Sequence, residues 1–305
     1  MSTSSSPSMD ADAGAGTRPV VMGVLNVTPD SFSDGGLFID PDVAVAHAQE
    51  LAAEGADIID VGGESTRPGA DRVEIEQELQ RTIPVVEAIA RAGLTVSIDT
   101  MRSEVARRAV EVGAAYINDV SGGLADPRMA RTAAEVGVDV IVMHWRGHSR
   151  DMQQRATYSD VTGEVISELS ERVGEFVAAG VAPERIIVDP GLGFAKSFEH
   201  NWQLLATLPE LMAQGHRVIV GTSRKGFLGA VGRPEGQSRP PLERDVATAV
   251  TSAYLCDLGV WGVRVHDVRS TIDAMDVANA LWLARRAARG RTRPVRRDTG
   301  GDTGA

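Results

Sequence analysis

Short apolar runs in this chain keep ending on polar residues that can do chemistry. Asn26, Asp60 with Glu64 just beyond, Asp99, Asn118 with Asp119, His144, Asp189, Lys225, and Arg264 with His266 all sit at or just past such a run. Asp99 and Asp189 close the strongly apolar stretches SID and IIVDP. A carboxylate in a half-buried pocket needs a partner. A heterocycle with adjacent N–H groups, such as an aminopyrimidinone edge, supplies one, because two carboxylate oxygens accept two parallel donors. Asn118 offers a donor and an acceptor to the same ring. Taken singly, a strand-end Asp more often caps the next helix than binds a ligand. The convergence of so many polar ends favours a site.

A second chemistry is anionic. In GTSRKGF, Gly221 lets a ligand approach the backbone. Lys225 brings a flexible point charge that can stabilise an anion or bond a ring carbonyl and nitrogen. The stretch lacks the G-x-x-x-x-G-K-[ST] spacing of a phosphate loop. Arg224 is evenly balanced between ligand binding and an ordinary salt bridge. RVHDV sets Arg264 and His266 two residues apart, so a strand points both to one face. Arg as a bidentate clamp and His as a second donor make a diphosphate site. Asn26 could lend its side-chain oxygen to a Mg²⁺ that bridges the diphosphate oxygens. The loops TPDSFSDGG and GGESTRPGADR carry the Gly, Pro and small polar residues of a mobile cover, with a positive charge at Arg67, although plain solvated loops read the same way. No Ser–His or Cys–His pair stands out as a nucleophile.

These residues need a scaffold that gathers strand ends. Continuous apolar runs at 19–25, 57–62, 94–99, 114–119, 138–144, 185–190, 217–221 and 260–266 read as strands buried on both faces. Helical patterns alternate with them: DVAVAHAQELAAEG, ELQRTIPVVEAIARAG, EVISELSERVGEFVAAG and an Ala-rich run from Asp245 to about Asp257. Gly55, Gly93, Gly180 and Gly259 stand at helix stops. Such repeated alternation predicts an α/β fold closed as a TIM (β/α)₈ barrel, whose strand C-termini share one rim. The runner-up, an open doubly wound sheet, would more often carry G-x-G-x-x-G after its first strand, and GVLNVTPDSFSDGG lacks that spacing. The barrel is expected over 18–287, between disordered tails at 1–17 and 288–305, the second of them basic.

Bulk properties narrow the function. The chain has 305 residues, 43% hydrophobic and only 4% aromatic, so its core must rest on Val, Ile, Leu and Ala. A net charge of −11 argues against a nucleic-acid partner. No run reaches the ~18–20 apolar residues of a membrane span, and the polar start does not read as a signal peptide. Cys256 is the single cysteine, which excludes an intrachain disulfide and reads as a buried, inert thiol. A cytoplasmic enzyme is the expectation.

Across about residues 20–270, GVLNVTPDSFSDGG, DIIDVGGESTRPGA, SIDTMR, INDVSGG, VMHWRG, DPGLGF, GTSRK and RVHDV resemble the dihydropteroate synthases, and the first two motifs are highly specific. The resemblance implies a TIM barrel of folate synthesis that condenses (7,8-dihydropterin-6-yl)methyl diphosphate with p-aminobenzoate, by loss of diphosphate first. It implies that Asp99, Asn118, Asp189, Gly221 and Lys225 bind the pterin, with Met143 and Phe194 packed near it. Asn26, Arg264 and His266 would hold the diphosphate, with Mg²⁺ on Asn26. Asp99, Lys225, Arg264 and His266 would be the catalytic set. Phe32, Thr66, Arg67, Pro68 and Ser223 would lie at the p-aminobenzoate site with Phe194 nearby, where sulfonamides compete. The family is typically homodimeric, packed through helices of the C-terminal part.

One departure is Gly226, where the pattern leads us to expect a larger or hydroxylic residue, although a backbone N–H there could serve. Two rivals are weighed. A pterin-dependent methyltransferase has a related barrel but would need a module for its acceptor. A non-catalytic pterin-binding paralogue predicts damaged loop motifs, whereas TPDSFSDGG and ESTRPG are intact.

Overall fold

Eight parallel strands close into one barrel in chain order in the computed structural model, which describes residues 18–27, 41–64, 73–148 and 152–291. The strands are β1 (Val20–Asn26), β2 (Ile58–Gly62), β3 (Val96–Asp99), β4 (Tyr116–Asp119), β5 (Asp139–Met143), β6 (Ile186–Asp189), β7 (Arg217–Val220) and β8 (Gly262–Val265). The helices are α1 (Pro41–Ala53), α2 (Ile75–Arg91), α3 (Ser103–Glu111), α4 (Met129–Val136), α5 (Val161–Ala178), α6 (Phe198–Ala206), α7 (Leu208–Met212), α8 (Gly226–Ala230), α9 (Asp245–Leu258) and α10 (Val268–Arg291). The TIM-barrel expectation holds. After β1 its strands run one to three residues shorter than the apolar runs, and α10 carries the chain past the expected boundary at 287.

The period-two rule divides each strand between two cores. Val20, Met22, Ile58, Ile141, Ile187 and Ile219, with Tyr116 and Trp261 against them, pack together and fill the floor of the barrel. Their neighbours Val21, Ile59, Val96, Ile117, Val140, Ile186, Val218 and Val263 join the larger core between sheet and helices. Side chains alternate across a strand, so this split fixes which strand-end residues face the lumen.

Helix ends follow the sequence signals. Gly55, Gly93, Gly180 and Gly259 all take positive φ. Gly259 is the left-handed C-cap of α9, where its N–H reaches back to the carbonyls of Leu255 and Cys256. Cys256 is half-buried rather than buried, because α9 shares its flank with α10, and its thiol points to the Met275 carbonyl. Burial pushes that thiol's pKa up, in keeping with an inert role. No helix of the described residues is long and apolar enough to cross a membrane.

Candidate active site

By alternation from the floor residues, and by pairing of Gly62 with Asp99 and Met22 with Arg264, Asn26, Asp60, Asp99, Asn118, Met143, Asp189, Gly221, Arg264 and His266 all carry the lumen parity. Pairing confirms one level of the rim: Asn26 is opposite Gly62, Gly62 opposite Asp99, and Asp99 opposite Asn118. The same rule removes two residues from the expected rim. Asp119 and His144 share the parity of Ile117 and Val142 and turn outward. Asp119 ties down the loop after β4 by accepting from Ser121 and from the Gly123 N–H. His144 is buried against Glu168 of α5 and Lys196.

The lumen groups are held together by Arg264. Its Nε donates to Asp60 Oδ2 at 2.6 Å and its Nη2 to Asp99 Oδ2 at 2.8 Å, while Asn118 Nδ2 donates to the same Asp60 oxygen at 3.0 Å. The sequence reading separates acidic residues for the ring from Arg264 for the anion. The structure joins them, because β8 and β2 flank β1 and the guanidinium reaches both carboxylates. Burial pushes the Asp99 carboxyl up to about 7, against the pull of Arg264. Nη1 of Arg264 has no partner among the described residues.

Asp189 and Lys225 form a second group. Asp189 Oδ1 accepts the Gly191 N–H at 2.7 Å. Burial raises its pKa, opposed by that N–H and by Lys225. Burial also draws the Lys225 ammonium down to about 8, with Asp189 opposing. Lys225 Nζ lies 4.1 Å from the centroid of the Phe194 ring. Gly193 has φ +79, and a Cβ there would lie 2.9 Å from Lys225 Cδ, so glycine makes the approach possible. Met143 and Phe194 belong to one apolar cluster with Met101, Val120 and Met152, which gives the site an apolar wall.

Gly62 lies between Asn26 and Asp99; a Cβ there would be 3.4 Å from Asn26 Oδ1 and 3.5 Å from Asp99 Oδ2. Ser223 Oγ accepts the His266 N–H at 3.0 Å and lies 2.9 Å from His266 Nδ1. The structure therefore makes a Ser–His pair that the sequence did not suggest, because β7 and β8 end side by side. A Ser223 hydroxyl that donates to Nδ1 leaves the ring proton on Nε2, a donor suited to an anion.

Arg224 settles as a salt bridge, with its Nε 2.7 Å from Asp245 Oδ1. Gly226 opens α8 beneath Phe198, whose ring would lie 3.3 Å from a Cβ, so a larger residue would crowd it. Glu64 pairs with Arg102, as does buried Glu78. The Glu78–Arg102 pair and Lys196 were missed. In the sequence each of these charges reads as solvated. Phe32, Thr66, Arg67 and Pro68 lie outside the described residues.

Comparison with known proteins decides the family. The model of the pterin binding enzymes matches residues 22–266. This chain belongs to the pterin-binding enzyme family. The dihydropteroate synthase of Mycobacterium leprae is 54% identical over 265 residues, spanning 86% of this chain and 93% of the relative. The structure of the Yersinia pestis dihydropteroate synthase with a sulfonamide drug superposes with a TM-score of 0.80 at 39% identity, covering 87% of this chain and 94% of that one. The Xanthomonas albilineans dihydropteroate synthase in complex with 7,8-dihydropteroate superposes with a TM-score of 0.74 at 40% identity, covering 88% and 94%. Within the pterin-binding family, the chain groups with the dihydropteroate synthases.

Proposed function

We propose that this chain condenses (7,8-dihydropterin-6-yl)methyl diphosphate with p-aminobenzoate, releasing diphosphate and 7,8-dihydropteroate. The observation that carries the reading is the Arg264 bridge between Asp60 and Asp99 at a rim that also presents Asn118, Asp189 and Lys225. Two carboxylates and an amide there offer acceptors of the kind a pterin's N–H groups need. Met143 and Phe194 supply the apolar wall for the ring, and Gly221 leaves room at the end of β7.

The reaction breaks the methylene C–O bond, and the electron pair leaves with diphosphate. The Arg264 Nη1 and His266 are the donors for that leaving charge. Asp99, buried and negative, favours the pterin cation that remains. The neutral arylamine then forms the C–N bond, and the proton it gives up goes to the released diphosphate. Lys225 donates to the pterin ring, and Ser223 positions His266 beside the p-aminobenzoate side.

Among the described residues no group of three or more His, Cys, Asp or Glu could hold a metal ion. Asn26, whose neutral Oδ1 lies over Gly62 at the rim, would be the residue to hold a Mg²⁺. When bound, that ion would neutralise charge on the diphosphate oxygens. Phe32, Thr66, Arg67 and Pro68 are assigned to p-aminobenzoate by family resemblance, and sulfonamides would compete there.

Exposed Val246, Val250 and Tyr254 repeat at helical spacing along α9, and α10 also exposes Val277 and Leu281. This apolar face supports a homodimer, and the lone free thiol suits a cytoplasmic setting. The deciding assay mixes protein, the pterin diphosphate, Mg²⁺ and p-aminobenzoate, then follows diphosphate and dihydropteroate. Diphosphate release without a pteroate product would refute the synthase reading.

A further inference from the structure

Lys196 lies behind the mouth and has no part in the chemistry above. It is only 2% exposed. Its Nζ lies 2.9 Å from His144 Nδ1, 3.0 Å from the Gly191 carbonyl and 3.1 Å from the Phe194 carbonyl. His144 Nε2 meets Glu168 Oε2 at 3.0 Å, and Glu168 is also paired with Arg146. His144 and Arg146 hold the Glu168 carboxyl down at about 2, so it is ionised and only accepts. His144 must therefore donate from Nε2, which leaves Nδ1 as an acceptor. Lys196 thus meets three acceptors with the three protons of an ammonium. Burial draws its pKa down to about 7, with Asp189 opposing. Glu168 also favours the charged form, and the three acceptors are placed to receive the three N–H bonds of an ammonium.

The turn between β6 and α6 explains the need for that cation. Gly191, Gly193 and Ala195 have φ of +67, +79 and +47. A left-handed alanine costs about 1–2 kcal/mol, so something must hold the turn. Asn201 of α6 does so from one side, accepting the Gly193 N–H and donating to the Ser197 carbonyl, each at 2.6 Å. Lys196 does so from the other, through the two carbonyls. The same turn carries three site features: the Gly191 N–H on Asp189, the Phe194 ring under Lys225, and Gly193 against the Lys225 stem.

We infer that Lys196 is the positioning residue of the pterin side of the site, its ammonium oriented by His144 and holding the Gly191 and Phe194 carbonyls so that Asp189, Phe194 and Lys225 keep their places. The inference rests on the pterin reading of the site. Its test is Lys196→Met, which keeps the length and removes the donors. Titration calorimetry with 6-hydroxymethyl-7,8-dihydropterin should show affinity weakened about tenfold or more, the worth of one or two charged hydrogen bonds. The KM for p-aminobenzoate at saturating pterin diphosphate should change less than about threefold. Pterin affinity within about twofold of wild type, or equal losses for both substrates, would overturn the inference. Should Lys196→Met not fold, His144→Leu leaves the ammonium two acceptors and should weaken the pterin by about threefold, and an unchanged affinity there would also overturn it. A wild type that ignores the pterin would sink the site reading, and this inference with it. A wild type that binds beside a Lys196→Met that binds equally well would sink the inference alone.

Discussion

Arg264→Met removes one cation from two buried carboxylates. Arg264 Nε and Nη2 lie 2.6 and 2.8 Å from Asp60 and Asp99, which are 0% and 7% exposed. Breaking a buried ion pair by deleting one partner costs about 3–5 kcal/mol, because the charge left behind has no counter-ion. Here Asp60 keeps Asn118 as a donor and Asp99 can take up a proton, so the loss should stay within that range despite involving two carboxylates. In a barrel of this size one kcal/mol moves Tm by about 2–4 °C, so the variant should melt about 6–20 °C lower at about pH 8. The loss should shrink in acid. Burial pushes the Asp99 carboxyl from the ordinary aspartate value of 3.8 up to about 7 in the folded protein. A raised acid pKa means that the folded state binds the proton more tightly, so stability is gained as pH falls through 7 toward 4 and is lost as it rises. Without Arg264 that pKa climbs further, and the acid-side gain grows. Thermal melts of both proteins by circular dichroism at about pH 8 and about pH 5.5 test this. A Tm change under about 2 °C at the higher pH, or a gap that does not narrow in acid, would refute the bridge as a stabilising element.

Two further outcomes follow from the same geometry. The proposed pterin site calls for an ionised Asp99 and a protonated Lys225, whose carboxyl and ammonium are displaced by burial to about 7 and about 8. The pH profile of kcat/KM for the pterin diphosphate should therefore be a narrow bell with its limbs near those values, and a flat profile from about pH 6 to about pH 9 would contradict it. Gly193→Ala places a Cβ 2.9 Å from Lys225 Cδ at φ +79. The strain of about 1–2 kcal/mol should leave the protein folded, while calorimetry should register weaker pterin binding as Lys225 is displaced; wild-type affinity would show that Lys225 has other room.

The barrel was legible because parallel strands covered on both faces must be continuously apolar, and the runs at Val20, Ile58 and Ile186 are. The candidate site was legible only as a list of strand ends. Extending the alternation of side chains one step past each run separates Asn118 from Asp119 and Met143 from His144, and the sequence contains that information. The Arg264 bridge was not legible. It depends on closure of the barrel, which brings β8 beside β1 and within reach of Asp60 on β2. Lys196 was invisible for a related reason. A lysine after DPGLGFA reads as solvated, and only the left-handed turn at Gly191, Gly193 and Ala195 supplies the buried carbonyls that make an ammonium useful there. The resemblance to a family named the substrates, which the side chains alone could not.

Asp60 shows how the two levels combine. It carries the lumen parity, is fully buried, and has one oxygen, Oδ1, without a hydrogen-bond partner among the described residues. A buried carboxylate in that state is costly, so its presence asks for a reason beyond packing. Its charge both draws on Arg264 and opposes ionisation of Asp99. Asp60 thus helps to keep the Asp99 carboxyl near neutrality, poised to change charge as a ligand arrives. Asp60→Asn removes the charge and keeps a side-chain oxygen for Arg264. The Asp99 carboxyl should then ionise at lower pH, and the acid limb of kcat/KM should move down by about one unit or more. The alkaline limb, set by Lys225, serves as the internal reference. An acid limb that stays in place while the variant remains folded would mean that Asp60 does not tune Asp99, and that its burial serves the Arg264 and Asn118 contacts alone.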